Sequence, residues 1–399
     1  MMRFTSVIAR SAAQGCDTAG TYRLTAFEGR SMVQLDGLRA LAVLVVLWSH
    51  WAPRPWQLGL PWGTGVQLFF VISGFLITGI LLDNRPSDTA SGVERLRVWR
   101  TFYLRRTLRI FPLFYLVLAL ALILGLANIR HVWMWHALYL SNFYYFTGHP
   151  LDAFQHFWSL AVEEQFYLVW PFLILLLPVR IIPACIIPMI ILAPLSRILL
   201  VEWGHPDILV RLLPSSNLDA LGIGALLSWT RRFGTDCGWN PRRVALLCLL
   251  IGLPTYVLAG TFERTGHAHY WIRSLGHTGM ALFYGWLVAE AAVGFQGWAG
   301  RLLESVTATY IGRISYGIYV YHFFASYLIL GLPLENTVRG YALRIAVYAT
   351  ATLLVAVASW HFYEQPLNRL KTRLPYGVRN IPKKSVTSAA TNEIPRTVK

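Results

Sequence analysis

Charge is what this 399-residue sequence has least of: Asp, Glu, Lys and Arg together make up 14% of it, against about 25% in a typical soluble domain. Too few polar side chains remain to cover a water-soluble fold of this length, which excludes a cytosolic enzyme and a disordered chain. Acid is the scarcer sign, 19 residues against 35 Lys and Arg, for a formal charge of +16. Cysteine is down to four scattered residues, Cys16, Cys185, Cys237 and Cys248, with no CxxC and no histidines at ligand spacing. Neither a disulfide framework nor a metal site is expected from that pattern. Residues 1–33 lack the continuous apolar core of a signal peptide.

What fills the chain instead is apolar: 55% hydrophobic residues and a mean hydropathy of +0.48. Apolar segments recur at about 37–52, 63–82, 110–127, 157–177, 181–200, 216–230, 244–260, 272–293, 307–330 and 341–363. At about 20 residues per crossing, the pattern predicts an all-α, polytopic membrane protein of about ten transmembrane helices. The aromatic stretch 131–146 is too short for a span and reads as interfacial or re-entrant. With both termini cytoplasmic, the inner loops and tails carry 26 of the 35 Lys and Arg and the outer loops five. A bias of that size is the positive-inside pattern, so the charge marks topology and membrane lipid, not a nucleic-acid partner. Three regions follow: a cytoplasmic segment over 1–33, a transmembrane domain over 34–370, and a basic tail over 371–399 of disordered composition.

Ionisable groups at membrane depth cost about 2.5–3.5 kcal/mol each on insertion scales, so those present need a reason. The first span, Leu35 to Trp51, has Asp36 and Arg39 at its start and His50 near its end. Eleven helical residues return to within about 20° of one face and advance about 16 Å, so one face points Arg39 inward and His50 outward. Taken alone, His50 also fits an interfacial histidine beside Trp48 and Trp51. In the second span, Ser73-Gly74 permits a close helix approach or a break beside a cavity. Arg105, Arg106 and Arg109 crowd the start of the third span, where guanidiniums can fork onto phosphates or anchor lipid headgroups. Glu163 and Glu164 sit with Gln165 in a segment too apolar for all three to face lipid; a structural ion pair with an arginine is the plainer alternative. Asp219 at the mouth of a later span reads as a helix cap, and Ser315, Tyr319 and His322 share a helical face.

In order along the chain, Leu35-Asp-Gly-Leu-Arg-Ala with His50, Phe69-Phe-Val-Ile-Ser-Gly-Phe-Leu-Ile, Arg105-Arg-Thr-Leu-Arg-Ile-Phe-Pro, Trp158-Ser-Leu-Ala-Val-Glu-Glu-Gln-Phe-Tyr and Ile314-Ser-Tyr-Gly-Ile-Tyr-Val-Tyr-His resemble membrane acyltransferase family three. The resemblance covers roughly 33–370 and implies a bacterial inner-membrane O-acyltransferase. Its donor would be a cytoplasmic acyl-coenzyme A, most simply acetyl-coenzyme A, acting as co-substrate with no bound cofactor. Its acceptor would be a hydroxyl of a saccharide or lipid-linked sugar. Some relatives append an extracytoplasmic SGNH-type domain, and none is expected within these 399 residues.

On that resemblance, the catalytic group would be His50, as general base or as transient acyl carrier, supported by Arg39, Glu163 and Glu164. Arg105, Arg106 and Arg109 would hold the donor's phosphates, and Ser73 and Gly74 would admit the thioester. Tyr316 or Tyr319 would donate toward the oxyanion. Buried Arg, Glu and His also suit a transporter of a small anion or lipid-linked sugar, although no internal repeat of the kind many transporters show is visible.

Overall fold

The computed structural model describes residues 30–57, 62–126, 129–266, 269–329 and 337–376. The expected N-terminal segment and basic tail lie almost wholly outside them. Helices account for all the regular structure among the described residues: α1 (Arg30–Trp51), α2 (Gly65–Asp83), α3 (Gly92–Leu124), α4 (Ile129–Ala137), α5 (Ser141–Phe146), α6 (Phe157–Leu176), α7 (Ile182–Glu202), α8 (Asp207–Val210), α9 (Leu218–Trp229), α10 (Pro241–Arg264), α11 (Tyr270–Val293), α12 (Gly297–Leu303), α13 (Val306–Ile329), α14 (Val338–Ser359) and α15 (Gln365–Arg369).

Each of the ten expected segments falls on a helix, but fewer meet the demands of a crossing. Seven described helices are long and apolar enough, or eight when α11 is joined to α12 across an 86° bend. The protein is therefore multi-pass and all-helical. Helix α9 has 12 residues, about 18 Å at 1.5 Å per residue, against a hydrocarbon core of about 30 Å. Helix α13 is diluted by Arg313, Ser315, Tyr316, Tyr319 and His322. The aromatic stretch 131–146 forms the two short helices α4 and α5, neither of spanning length. In α4, His136 is fully buried, and burial pushes its imidazole down to about 4, keeping it neutral.

Burial separates the centre of the bundle from its rim. In α2, 72% of the apolar window is buried, against 17% in α7 and 22% in α10. The outward rows of α7 and α10, including Ile191, Leu192, Leu250 and Leu258, form the apolar surface that a bilayer covers and water does not. Glycines bring the central helices into backbone contact, as small residues do in membrane bundles. A Cβ on Gly74 would stand 2.0 Å from the Leu221 carbonyl oxygen, and one on Gly224 2.1 Å from that of Val71, so α2 and α9 touch along their backbones. Gly312 does the same for α13 against the Asp36 carbonyl of α1, at 1.9 Å.

Arginines close helix ends on one side of the molecule, here termed the arginine end. Arg85 and Arg95 donate to the last carbonyls of α6, at Ile174 and, at 2.7 Å, Leu175. Arg232 forks onto Asp83 at 2.5 and 2.7 Å. Cations at helix C-termini satisfy orphan carbonyls and complement the dipole, so part of the basic excess closes the fold. Two apolar cores fill the bundle, one around α2, α6, α9 and α11, the other around α1, α3 and α13. Val66, Phe69, Phe111 and Tyr316 pack against both and mark the seam between them.

Candidate active site

Two cavities open along this seam. The first faces the arginine end and is lined by Arg39 of α1, Ser73 of α2, Arg106 and Arg109 of α3, and Glu163 and Glu164 of α6. Its Ser73 hydroxyl donates to Glu163 Oε1 at 2.8 Å. Arg106 lies 5.4 Å from the centre of the Tyr167 ring, a cation–π contact. Arg39 reaches Asp36 at 3.4 Å. Among the described residues, Arg106 and Arg109 find no hydrogen-bond acceptor or acidic partner, and one oxygen of Glu164 is buried without a partner. The cavity thus presents guanidinium donors with nothing to donate to.

Not every residue singled out in the sequence faces this space. Arg105 turns away and donates to the carbonyls of Lys371 and Leu374, both at 2.9 Å, with the Tyr376 ring 5.2 Å from its guanidinium. The i,i+4 spacing pairs Arg105 with Arg109, but Arg105 lies about 40° to one side of Arg109 and Arg106 about 60° to the other; the cavity opens on the Arg106 side, and Arg105 turns to the segment after α15. Gly74 likewise points into the α2–α9 crossing, while its neighbour Ser73 lines the cavity. The acids form no ion pair with an arginine among the described residues; Glu163 is held by the hydroxyls of Ser73 and Tyr167. Asp219 is no helix cap either: it binds the buried Arg197 at 2.9 Å, with Thr278 donating to the same carboxylate oxygen at 2.7 Å.

The second cavity, of about 290 Å³, lies toward the other end and is lined by His50, Gln67, His156, Arg197, Asn217 and His277 among others. That volume is near the lower end of ordinary small-molecule sites, about 300 Å³. Here the hydrogen bonds fix the histidine tautomers. His322 Nδ1 is 2.6 Å from the Tyr319 carbonyl oxygen, which only accepts, so Nδ1 carries the proton and Nε2 a lone pair. His50 Nδ1 lies 3.2 Å from that Nε2 and must be the donor. His50 Nε2 is left with its lone pair. A base oriented by a second group, itself oriented by a third, is the arrangement that activates a hydroxyl. The His50 ring is exposed at the cavity, stacked 5.1 Å from His322.

Val66 and Tyr319 line both cavities and divide them. The Tyr319 hydroxyl is 2.5 Å from Ser159 Oγ and 2.9 Å from the His156 carbonyl oxygen, which Ser159 also reaches at 3.2 Å. That closed triangle uses both hydroxyl protons, and the Tyr316 hydroxyl donates to the Ile110 carbonyl at 2.8 Å. Neither tyrosine keeps a free donor for an oxyanion. His322 was not among the expected site residues, although it ends the fifth motif and shares a face with Tyr319 and Ser315. His156 stands one residue before α6, outside every motif.

An acyltransferase-domain family model, that of acyltransferase family three, matches residues 32–361. The chain belongs to this family. The match is to an acyltransferase domain, and the five motifs, which line or flank the two cavities, all fall within the matched residues. Among curated relatives, the chain is 26% identical over 373 residues to the peptidoglycan O-acetyltransferase OatA of Listeria monocytogenes, covering 87% of this chain and 57% of that one. It is 28% identical over 360 residues to the putative peptidoglycan O-acetyltransferase YrhL of Bacillus subtilis, covering 84% and 54%. To the O-acetyltransferase OatA of Staphylococcus aureus it is 27% identical over 372 residues, covering 86% and 58%. The chain thus spans a little over half the length of these relatives. No solved structure matches it.

Proposed function

We propose that this acyltransferase moves an acetyl group from acetyl-coenzyme A, bound at the arginine end, to a hydroxyl of a saccharide held at the His50 end, with peptidoglycan the acceptor its relatives point to. The reading places the enzyme in a bacterial inner membrane, with ten crossings and both termini cytoplasmic, so that the arginine end meets the cytoplasm. The observation that carries it is the pairing of two cavities across one partition. One offers Arg106 and Arg109 without protein acceptors, the chemistry of an anion site; the other offers a tautomer-fixed His50.

In this mechanism Arg106, Arg109 and Arg39 hold the donor's phosphates, and its extended arm carries the thioester toward the partition. His50 Nε2 removes the acceptor's hydroxyl proton as the oxygen attacks the thioester carbonyl carbon. The new C–O bond forms, the C–S bond breaks, and the departing thiolate takes up the proton from His50. The imidazolium formed in between is stabilised through His322, whose Nδ1–H remains on the Tyr319 carbonyl. Positioned general-base catalysis of this kind contributes about 10²–10⁴-fold.

Purified protein in liposomes, supplied with labelled acetyl-coenzyme A and muropeptides, tests the reading. It predicts free thiol and labelled muropeptide in equal amounts from the wild type, and neither from His50→Ala. Transfer by a folded His50→Ala variant at the wild-type rate would refute it.

A further inference from the structure

Val66 and Tyr319 form the partition between the cavities. Gly65 fixes its position, since a Cβ there would lie 2.6 Å from the Ala42 carbonyl oxygen and 2.8 Å from a Val46 methyl. The first turn of α2 is therefore pressed against α1 and cannot slide. The next residue, Val66, faces both cavities together with Tyr319. Tyr319 is itself immobilised by Ser159 and the His156 carbonyl, and the Phe69 ring packs edge-on 6.2 Å from it. Away from the cavities, Val66 and Phe69 pack against both apolar cores. The cavity on the arginine side amounts to about 80 Å³.

We infer that Val66, backed by Phe69 and the fixed Tyr319 ring, sets the length of the acyl chain that this enzyme transfers. The inference rests on the proposed donor reading. An acyl group entering from the arginine side and attacked from the His50 side brings its carbonyl carbon to the partition. Its alkyl tail then lies against Val66 and Phe69. A single methyl group is accommodated; each added methylene must displace the valine methyls in a close-packed seam, where overpacking is resisted.

The test is thiol release in liposomes with muropeptides and acetyl-, propionyl- or butyryl-coenzyme A, comparing wild type, Val66→Ala and Val66→Leu. Preference is read as the ratio of kcat/KM between donors within each variant, so a lower yield of folded protein leaves it unchanged. One methylene in an apolar pocket is worth about tenfold or more. Val66→Ala is expected to raise the butyryl-to-acetyl ratio at least about tenfold, and Val66→Leu to lower the propionyl-to-acetyl ratio by a similar factor. A wild type that releases thiol from acetyl-coenzyme A, with variants that keep its chain-length profile, overturns the inference alone. A wild type that releases no thiol from any of the three donors overturns the donor reading and the inference with it.

Discussion

Adjacent residues on one helix can have unrelated jobs, and α3 separates them sharply. Arg106 and Arg109 face the cavity without acceptors, while Arg105 holds the carbonyls of Lys371 and Leu374. Arg106→Gln is therefore expected to raise the KM for acetyl-coenzyme A about tenfold, the loss of one charge-assisted contact of roughly 1.5 kcal/mol. Arg105→Gln should leave that KM unchanged and instead expose the 370–376 segment to limited proteolysis. Steady-state donor titrations of both variants decide this; equal KM effects would contradict the assignment. Arg39 and His50 were legible in the sequence because one helix carries both, and helical periodicity relates them. The pairing of His50 with His322 was not, since 272 residues separate them and only the packing of α1 on α13 brings the rings together. His322→Phe keeps an aromatic ring in place of the imidazole and removes the side-chain acceptor beside His50 Nδ1, leaving the Val46 backbone contact. It should lower kcat about a hundredfold while His50→Ala abolishes transfer; unchanged kcat in His322→Phe would break the relay.

At the scale of elements, the glycine contacts explain why a 12-residue α9 is held at the centre of the bundle. With its backbone against that of α2 at Gly74 and Gly224, there is no room for a side chain on either. Gly74→Ala is expected to abolish the folded, monodisperse species on size-exclusion chromatography, whereas Ser73→Ala, one residue away, should fold and lose activity. A folded, active Gly74→Ala variant would contradict the packing. The sequence showed Ser73-Gly74 as one motif, and helix rotation splits it into a cavity residue and a packing residue. The same holds for Asp219, whose place at a helix start suggested a cap. Arg197, in α7, draws its carboxylate into a fully buried pair joined by Ser274 and Thr278 of α11. Breaking such a pair from one side leaves an unpaired buried charge and costs about 3–5 kcal/mol. Asp219→Asn should accordingly lower the thermal unfolding midpoint in detergent by many degrees; an unchanged midpoint would mean that the pair holds nothing together.

Across the whole molecule, composition alone identified a membrane protein, because 14% charged residues cannot cover a soluble surface of this size, and the recurring apolar runs of about 20 residues made it helical. The number of crossings was less legible, since a span requires length and apolarity together; α9 lacks the first and α13 the second. Two of the polar residues that depress the hydropathy of α13 belong to the site: Tyr319 lies in the partition and His322 is hydrogen-bonded to His50. The organisation that results has the guanidiniums of Arg106 and Arg109 at one end, the His50–His322 pair at the other, and a Val66–Tyr319 partition on the seam between two apolar cores. Transfer across the membrane follows from that arrangement if the two cavities open to opposite sides. The most direct measurement encloses acetyl-coenzyme A labelled in its acetyl group within proteoliposomes and supplies muropeptides only outside. Label on the external muropeptides with wild-type protein, and none with His50→Ala, is the predicted result. Acetylation only when donor and acceptor share one compartment, or label transferred equally by His50→Ala, would contradict it.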